Sequence, residues 1–248
     1  MRRRTRNLGL LAIVAIAAAS PLWAPPVLRK ASFFAADRVE VSGARLLAPH
    51  EVLAASGVRI GENVWTDPAA WEAALRRHPV VAEAEVTRRL PATLRIRVVE
   101  KRPAALVQAG VLRPVTADGE VLPVDPARAA VDLPLLQARL KRSESARIGD
   151  PAARGALAEA GRLAELDPAL MARVSEVRPG EKGETLLRLA DPAADVVVPR
   201  GIDEPRLARL RAALADVARR MSAADSAKPG RARIDARFDD QVVVRMPE

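Results

Sequence analysis

The sequence predicts an α+β chain: a single N-terminal transmembrane helix, a small βααββ module, then a mainly antiparallel β domain with helices. Three observations lead there. Residues 78–103, HPVVAEAEVTRRLPATLRIRVVEKRP, alternate apolar and polar side chains on both sides of a short break containing Pro91. Two helix-type segments bounded by proline and glycine precede that stretch, and short β-type runs punctuated by Gly, Pro and Asp follow it. Ahead of everything, Arg2, Arg3, Arg4 and Arg6 lead into Leu8 to Ala24, 17 residues without a charge.

The apolar run is near the lower limit of about 17 residues for crossing a bilayer, and Val27 and Leu28 extend it to the usual length of about 20. Arginines before it and few charges just after predict residues 1–7 as a basic cytoplasmic tail, 8–28 as the anchor and the body outside. A cleaved signal peptide is the rival, because Leu8 to Ala19 also has the length of a signal h-region with small residues after it. The anchor is the preferred reading. Arg29 and Lys30 can reach back to lipid headgroups. Phe33 and Phe34 either sit at the membrane interface or pack under the module; packing is preferred in a chain so poor in aromatics.

Val39 and Val41 then alternate with Glu40 and Ser42 in a short strand stopped by Gly43. Pro49 opens a helix through Ser56, ended by Gly57. Thr66 or Asp67 caps a second helix with Pro68 at its first position, running to about Arg77 before Pro79. In the next strand Ala82, Ala84 and Val86 share one face, and Glu83, Glu85 and Thr87 the other. After Leu90-Pro91-Ala92, the residues Leu94, Ile96 and Val98 oppose Arg95 and Arg97. Period two means one buried and one solvated face. A three-residue loop at 90–92 sets Glu85 opposite Arg97, a favourable cross-strand pair. The order suits two helices covering one face of a small sheet, with the module spanning 33–104.

These residues resemble the POTRA domain of the FtsQ/DivIB bacterial cell-division proteins. That family's phrase is carried here by Pro79, Val81, Arg88, Arg89, Pro91, Thr93, Leu94, Glu100, Pro103 and Ala105, with Val80 standing where tryptophan is frequent.

Residues 105–248 read as the second domain. Ala105 to Gln108 and Val111 to Thr116 flank a turn at Ala109-Gly110, and Asp118-Gly119 turns into Glu120 to Val124. Residues 125–134 form a loop, ending at Leu133-Pro134-Leu135-Leu136. Asp150-Pro151 starts a helix with Leu157, Leu163 and Leu166, ending near Asp167-Pro168. Strands follow at Val174 to Arg178, Thr185 to Leu189 and Val196 to Val198. Asp203 caps a long helix to about Met221, with Leu207, Leu210, Leu214 and Val217 on one face. Ala232 to Phe238, a turn at Asp239-Asp240 and Gln241 to Met246 complete the chain. The closing RIDARFDDQVVVRMP resembles the family's ending at Asp235, Arg237 and Val244, with Phe238 in a tyrosine position and departures at Ala236 and Gln241. VVVPRGIDEPRLARL resembles the family's strand, Gly-Arg and helix passage, with Pro199 replacing the glycine.

Composition closes off several function classes. No cysteine is present, which excludes disulfides, thiolate metal sites and cysteine nucleophiles; His50 and His78 alone leave little scope for histidine chemistry. The net charge of +9 hints at nucleic acid, but setting aside the four N-terminal arginines leaves 36 basic against 31 acidic residues, spread along the chain. Asp239-Asp240 reads as a turn, because adjacent strand side chains point apart. Ser32, Ser42 and Ser56 have no histidine and acid arranged with them, and Gly180-Glu181-Lys182-Gly183 is a hairpin turn without phosphate-loop spacing. No enzyme, metal, cofactor, nucleic acid or small-molecule substrate is therefore expected.

Protein binding remains. The resemblance implies a non-enzymatic scaffold of the divisome in the cytoplasmic membrane at the septum, docking small coiled-coil partners of the FtsB/FtsL type and other divisome proteins, and helping to control septal peptidoglycan synthesis. Docking would be β-augmentation on the last strand. The positions carried over are Arg200, Arg237, Phe238, Asp240, Gln241, Val242, Val243, Val244 and Arg245, although Val242 and Val244 also fit a core-facing alternation. The alternative is a POTRA-bearing envelope export factor, which usually carries several such modules and a barrel. A periplasmic enzyme behind a signal peptide is a third class, lacking a polar constellation.

Overall fold

A computed structural model describes residues 32–127, 132–138, 147–223 and 230–247. The predicted anchor at 8–28 lies outside them; among the described residues no helix is long and apolar enough to cross a membrane. The backbone forms two compact units that divide between Glu100 and Lys101.

In the first unit, β1 (Arg38–Ser42), α1 (Pro49–Ser56), α2 (Ala69–Arg76), β2 (Val81–Arg89) and β3 (Thr93–Glu100) follow one another. The sheet order is β1-β3-β2, with β1 parallel and β2 antiparallel to β3. The hairpin loop is 90–92 and Glu85 faces Arg97 across the ladder, as the alternation requires. Val86, Leu94, Ile96 and Val98 are buried with Val52, Trp71 and Leu75 from the helices. One expectation fails: Ala82 is exposed and Val81 is buried, because a bulge between Val81 and Glu83 shifts the alternation there.

The family phrase turns out to be structural. The Glu100 carboxylate accepts the N–H groups of Arg45, Leu46 and Leu47 at 2.8, 2.8 and 2.9 Å, fixing the loop into α1. Arg88 donates through Nε to the Val64 carbonyl at 2.6 Å and lies over the Trp65 ring. Gly43 has φ 86°, and a Cβ there would run into the Val98 carbonyl, so only glycine lets β1 turn away against β3. Asp67 accepts the Ala69 N–H at 3.0 Å, so α2 begins just after Pro68. The outer edge of β2 is engaged by α2 side chains: Glu72 accepts the Val86 N–H and Arg76 donates to the Ala84 carbonyl. Phe34 stacks edge-on with Trp65, whereas Phe33 is 71% exposed, so the expected packing holds for only one of the pair.

The second unit contains β4 (Pro103–Ala109), β5 (Val111–Thr116), β6 (Leu135–Leu136), α3 (Pro151–Leu166), α4 (Pro168–Met171), β7 (Val174–Pro179), β8 (Thr185–Leu189), β9 (Ala194–Val198), α5 (Glu204–Ala223), β10 (Ala232–Asp235) and β11 (Val243–Arg245). Together the strands build an eight-stranded sheet in the order β11-β10-β9-β8-β7-β6-β4-β5. Pro103 and Ala104 belong to its first strand. The sheet is more mixed than the alternation alone indicates. Its hairpins are antiparallel, but β10 runs parallel to β9, and β6 parallel to both β4 and β7. Two of these junctions are crossovers carrying helices, α5 between β9 and β10 and α3–α4 between β6 and β7, as parallel neighbours demand.

The helices bury one face of the sheet. Leu207, Leu210, Leu214 and Val217 of α5 and Leu157 and Leu163 of α3 join Val177, Leu187, Leu189, Val196, Val198 and Ile234 in one core. Leu166 is 40% exposed and does not take part; it ends α3 on the solvent side. Residues 120–124 make only isolated bridges rather than a regular strand.

Candidate partner-binding edge

The two edges of the large sheet are not equivalent. On the outer side of β5, the Leu122 N–H donates to the Pro114 carbonyl at 2.8 Å and Val121 bridges Val115, so the chain itself covers that edge from Pro114 to Thr116. Pro114 has no N–H to offer in any case. At the opposite end β11 pairs antiparallel with β10, Ile234 facing Val244, and no described strand lies beyond it.

Alternation along β11 sorts the candidate residues. Val242, Val244 and Met246 pack against the core, while Val243 and Arg245 look onto the sheet face that no helix covers. On that face Arg178, Leu186, Asp195, Val197, Arg233, Asp235, Arg237 and Phe238 join them around a groove of about 670 Å³. Its floor is apolar, with Leu186, Val197, Val243 and the 44% exposed Phe238. Its charge is positive: Asp195 is taken up by Arg188 and Arg231, and Asp235 by Arg237. Arg178, Arg233 and Arg245 make no ion pair among the described residues.

The turn before β11 is held firmly. Arg237 Nε donates to Asp235 Oδ1 at 2.9 Å and its Nη2 to Oδ2 at 2.6 Å. Those hydrogen bonds outweigh burial and hold the Asp235 carboxyl below the usual aspartate range. Asp239 is paired with Arg206, and its carbonyl accepts from Arg209, both on α5. The adjacent Asp239 and Asp240 thus divide their roles: the first ties the turn to α5, and the second is exposed together with Gln241.

Arg200 comes to the same side by another route. It follows β9, and its guanidinium lies against α3 at Gly155, where a Cβ would meet Nη2 at 2.8 Å. It lines a shallow depression with Lys182, Glu184, Pro199 and Arg237. Arg237 also lines the groove beside β11, so the structure brings Arg200 and the β11 residues to adjoining surfaces. The loop carrying Arg200 hangs from a residue the sequence did not single out. Glu159 on α3, 3% exposed, accepts the N–H of Gly201 at 2.6 Å and of Ile202 at 3.1 Å. A glutamate inside an otherwise apolar helical face is the only sequence signal it leaves. Leu186, Val197 and Arg233 were also missed as groove residues, because β8, β9 and β10 are brought together only by the sheet.

Comparison with known proteins agrees with this architecture. Residues 34–101 match the model of the FtsQ-type POTRA domain, and residues 105–237 match that of the C-terminal domain of cell division protein FtsQ/DivIB. Cell division protein FtsQ of Anaeromyxobacter sp. (strain K) is 31% identical over 222 residues, covering 86% of this chain and 75% of that protein. The Myxococcus fulvus protein of that name is 32% identical over 71% of this chain and 63% of its own length. That of Rhodothermus marinus is 34% identical over 84% and 76%. The C-terminal match stops at Arg237, so Phe238 and β11 lie beyond it. With both of its units matched in order, the chain belongs to the FtsQ/DivIB family of cell division proteins.

Proposed function

We propose that this protein is a non-enzymatic, single-span scaffold of the bacterial division machinery, which docks small single-span coiled-coil proteins of the FtsB/FtsL type by strand addition to β11. Through them and other divisome proteins it helps to control septal peptidoglycan synthesis. Family membership supports the setting. The observation that carries the docking mode is the asymmetry of the sheet: one edge is covered over half its length by its own chain, while the other has no described strand beyond it and adjoins a groove with an apolar floor and arginines outside any ion pair among the described residues. An added strand would satisfy the outer N–H and C=O groups of β11, and its alternate side chains would enter the groove. An apolar residue suits Phe238, Leu186 and Val197, and acidic residues suit Arg233, Arg245 and Arg200. In this reading Val242 and Val244 contribute through their backbone and their packing. Residues 8–28 would hold the body on the outer face of the cytoplasmic membrane at the septum.

The test is capture from solubilised membranes by the full chain and by a form lacking residues 241–248. Retention of small single-span coiled-coil proteins by the full chain, and their loss from the truncated form with native circular dichroism, is the expected result. Equal capture by both forms would move the docking site elsewhere. Capture of envelope export substrates instead would favour the assembly-factor alternative.

A further inference from the structure

The first unit has a chemically distinct pole. The parallel register of β1 with β3, Arg38 opposite Thr93, puts the start of both strands and the end of β2 at one end of its sheet. The chain enters the module at this end. Two loops are hydrogen-bonded onto the entering segment there: Gly61 N–H donates to the Ala36 carbonyl at 2.8 Å, and Asp37 N–H to the Ala92 carbonyl at 2.9 Å. Of the four exposed large hydrophobic residues among the described residues of the first unit, three are at this pole. They are Phe33 at 71%, Ile60 at 76% and Leu90 at 57%; Val99 is at the other end. Single exposed apolar residues are ordinary on a protein surface, but tips of separate loops gathered at one end are not.

Aromatic and basic groups surround them. Phe34 and Trp65 stack edge-on at 5.9 Å beside Phe33, and Arg88 lies 5.6 Å over the Trp65 ring. Arg38 and Arg59 are exposed and make no ion pair among the described residues; Arg89 has a 3.5 Å contact with Glu40. The acidic groups at this end are Asp37, Glu40, which is paired with Arg89 and Arg95, the half-buried Glu62 and, two residues from Trp65, the exposed Asp67. Exposed Phe, Leu and Ile beside Trp and arginine is the composition of a surface that dips into a headgroup layer.

The position in the chain names the occupant. Only residues 29–32, two of them basic, separate Phe33 from the apolar run ending at Leu28. At about 3.6 Å per extended residue, Phe33 is within roughly 18 Å of that run. We infer that this pole is a lipid-docking surface: Phe33, Ile60 and Leu90 insert at the headgroup boundary of an anionic membrane, with Arg38 and Arg59 on the phosphates. The contact would set the orientation of the first unit on the bilayer, beyond the tether itself. It rests on reading residues 8–28 as the membrane span.

The cysteine-free chain permits a direct test. Single variants Ala17→Cys, Ile60→Cys, Leu90→Cys and Ala82→Cys of the full chain would be nitroxide-labelled in phosphatidylethanolamine–phosphatidylglycerol vesicles. Accessibility to oxygen and to a water-soluble nickel chelate would then be compared. Ala82, exposed at the opposite pole, is the aqueous reference. The expected result is an oxygen-to-nickel ratio several-fold higher at Ile60 and Leu90 than at Ala82, falling when phosphatidylcholine replaces phosphatidylglycerol or when Arg38→Glu and Arg59→Glu are combined. A lipid-like Ala17 with Ile60 and Leu90 as aqueous as Ala82 would overturn the docking surface and leave the span intact. Low accessibility to both reagents at Ile60 would mean that protein covers the pole, which also overturns it. An aqueous Ala17 would remove the span reading and the docking surface together.

Discussion

Asp235 gives up its proton more readily than an ordinary aspartate because Arg237 grips both its oxygens. Asp167 behaves alike: burial pushes its carboxyl up, but hydrogen bonds from Arg211 and from the Leu170 N–H outweigh it. A carboxyl lowered in the folded state contributes stability that is complete above its unfolded value, about 3.9, and lost as pH falls through the folded value. Denaturant midpoints of the body should therefore be level from neutral pH to about 5 and drop in more acid solution. In Asp235→Asn that acid drop should be shallower, and an unchanged pH profile would show that the Arg237 pair carries no linkage. Glu159 makes a different kind of prediction. Glu159→Ala leaves the Gly201 and Ile202 N–H groups without their acceptor and should cost about 1–3 kcal/mol in urea unfolding. Glu159→Gln keeps one carbonyl acceptor and should lose less. If Arg200 contacts a partner, Glu159→Ala should also weaken capture at temperatures where the body is still folded.

At the scale of elements, α5 and β11 carry opposite risks. The Leu210 side chain is fully buried, and Leu210→Ala should destabilise the second unit by about 2–5 kcal/mol, read from thermal or denaturant unfolding. Val243 faces the open groove, so Val243→Asp should leave the unfolding midpoint nearly unchanged yet abolish capture of an acidic partner strand. An intact interaction in that variant would remove the groove from the docking site. Much of this layer was legible beforehand. From Glu83 to Val98 the hairpin, its loop and its register follow from alternation, and α5 follows from Asp203 and four leucine- or valine-type positions at helical spacing. What escaped had no local signal. Two residues, Leu135 and Leu136, are too short for a period, yet they form β6 in the middle of the sheet. The bulge at Val81–Glu83 displaced Ala82 because a bulge breaks the alternation that would announce it. Parallel pairing across α5 is a property of chain return, which local periodicity does not encode. The β11 residues were found through the family phrase, but the groove beside them required β8, β9 and β10 to be assembled first.

For the whole molecule, charge and topology set the terms of association. Setting aside the four N-terminal arginines, the chain carries 36 basic against 31 acidic residues, and the groove contributes three arginines with no ion pair among the described residues. Exposed charge attraction is screened within about 10 Å at 0.1 M salt and about 3 Å at 1 M. Partner affinity measured by titration should accordingly fall roughly tenfold over that range, mainly through slower association. A salt-independent affinity would assign the recognition to apolar and main-chain contacts instead. Under the proposed docking, the partly covered β5 edge and the open β11 edge would together bear on valency. If β11 takes a partner strand as proposed, each copy would recruit a single segment at that edge of the large sheet. On that reading a division apparatus would grow by stoichiometric units, its size counted by copies of the scaffold, and the mass of the purified complex would read that ratio directly.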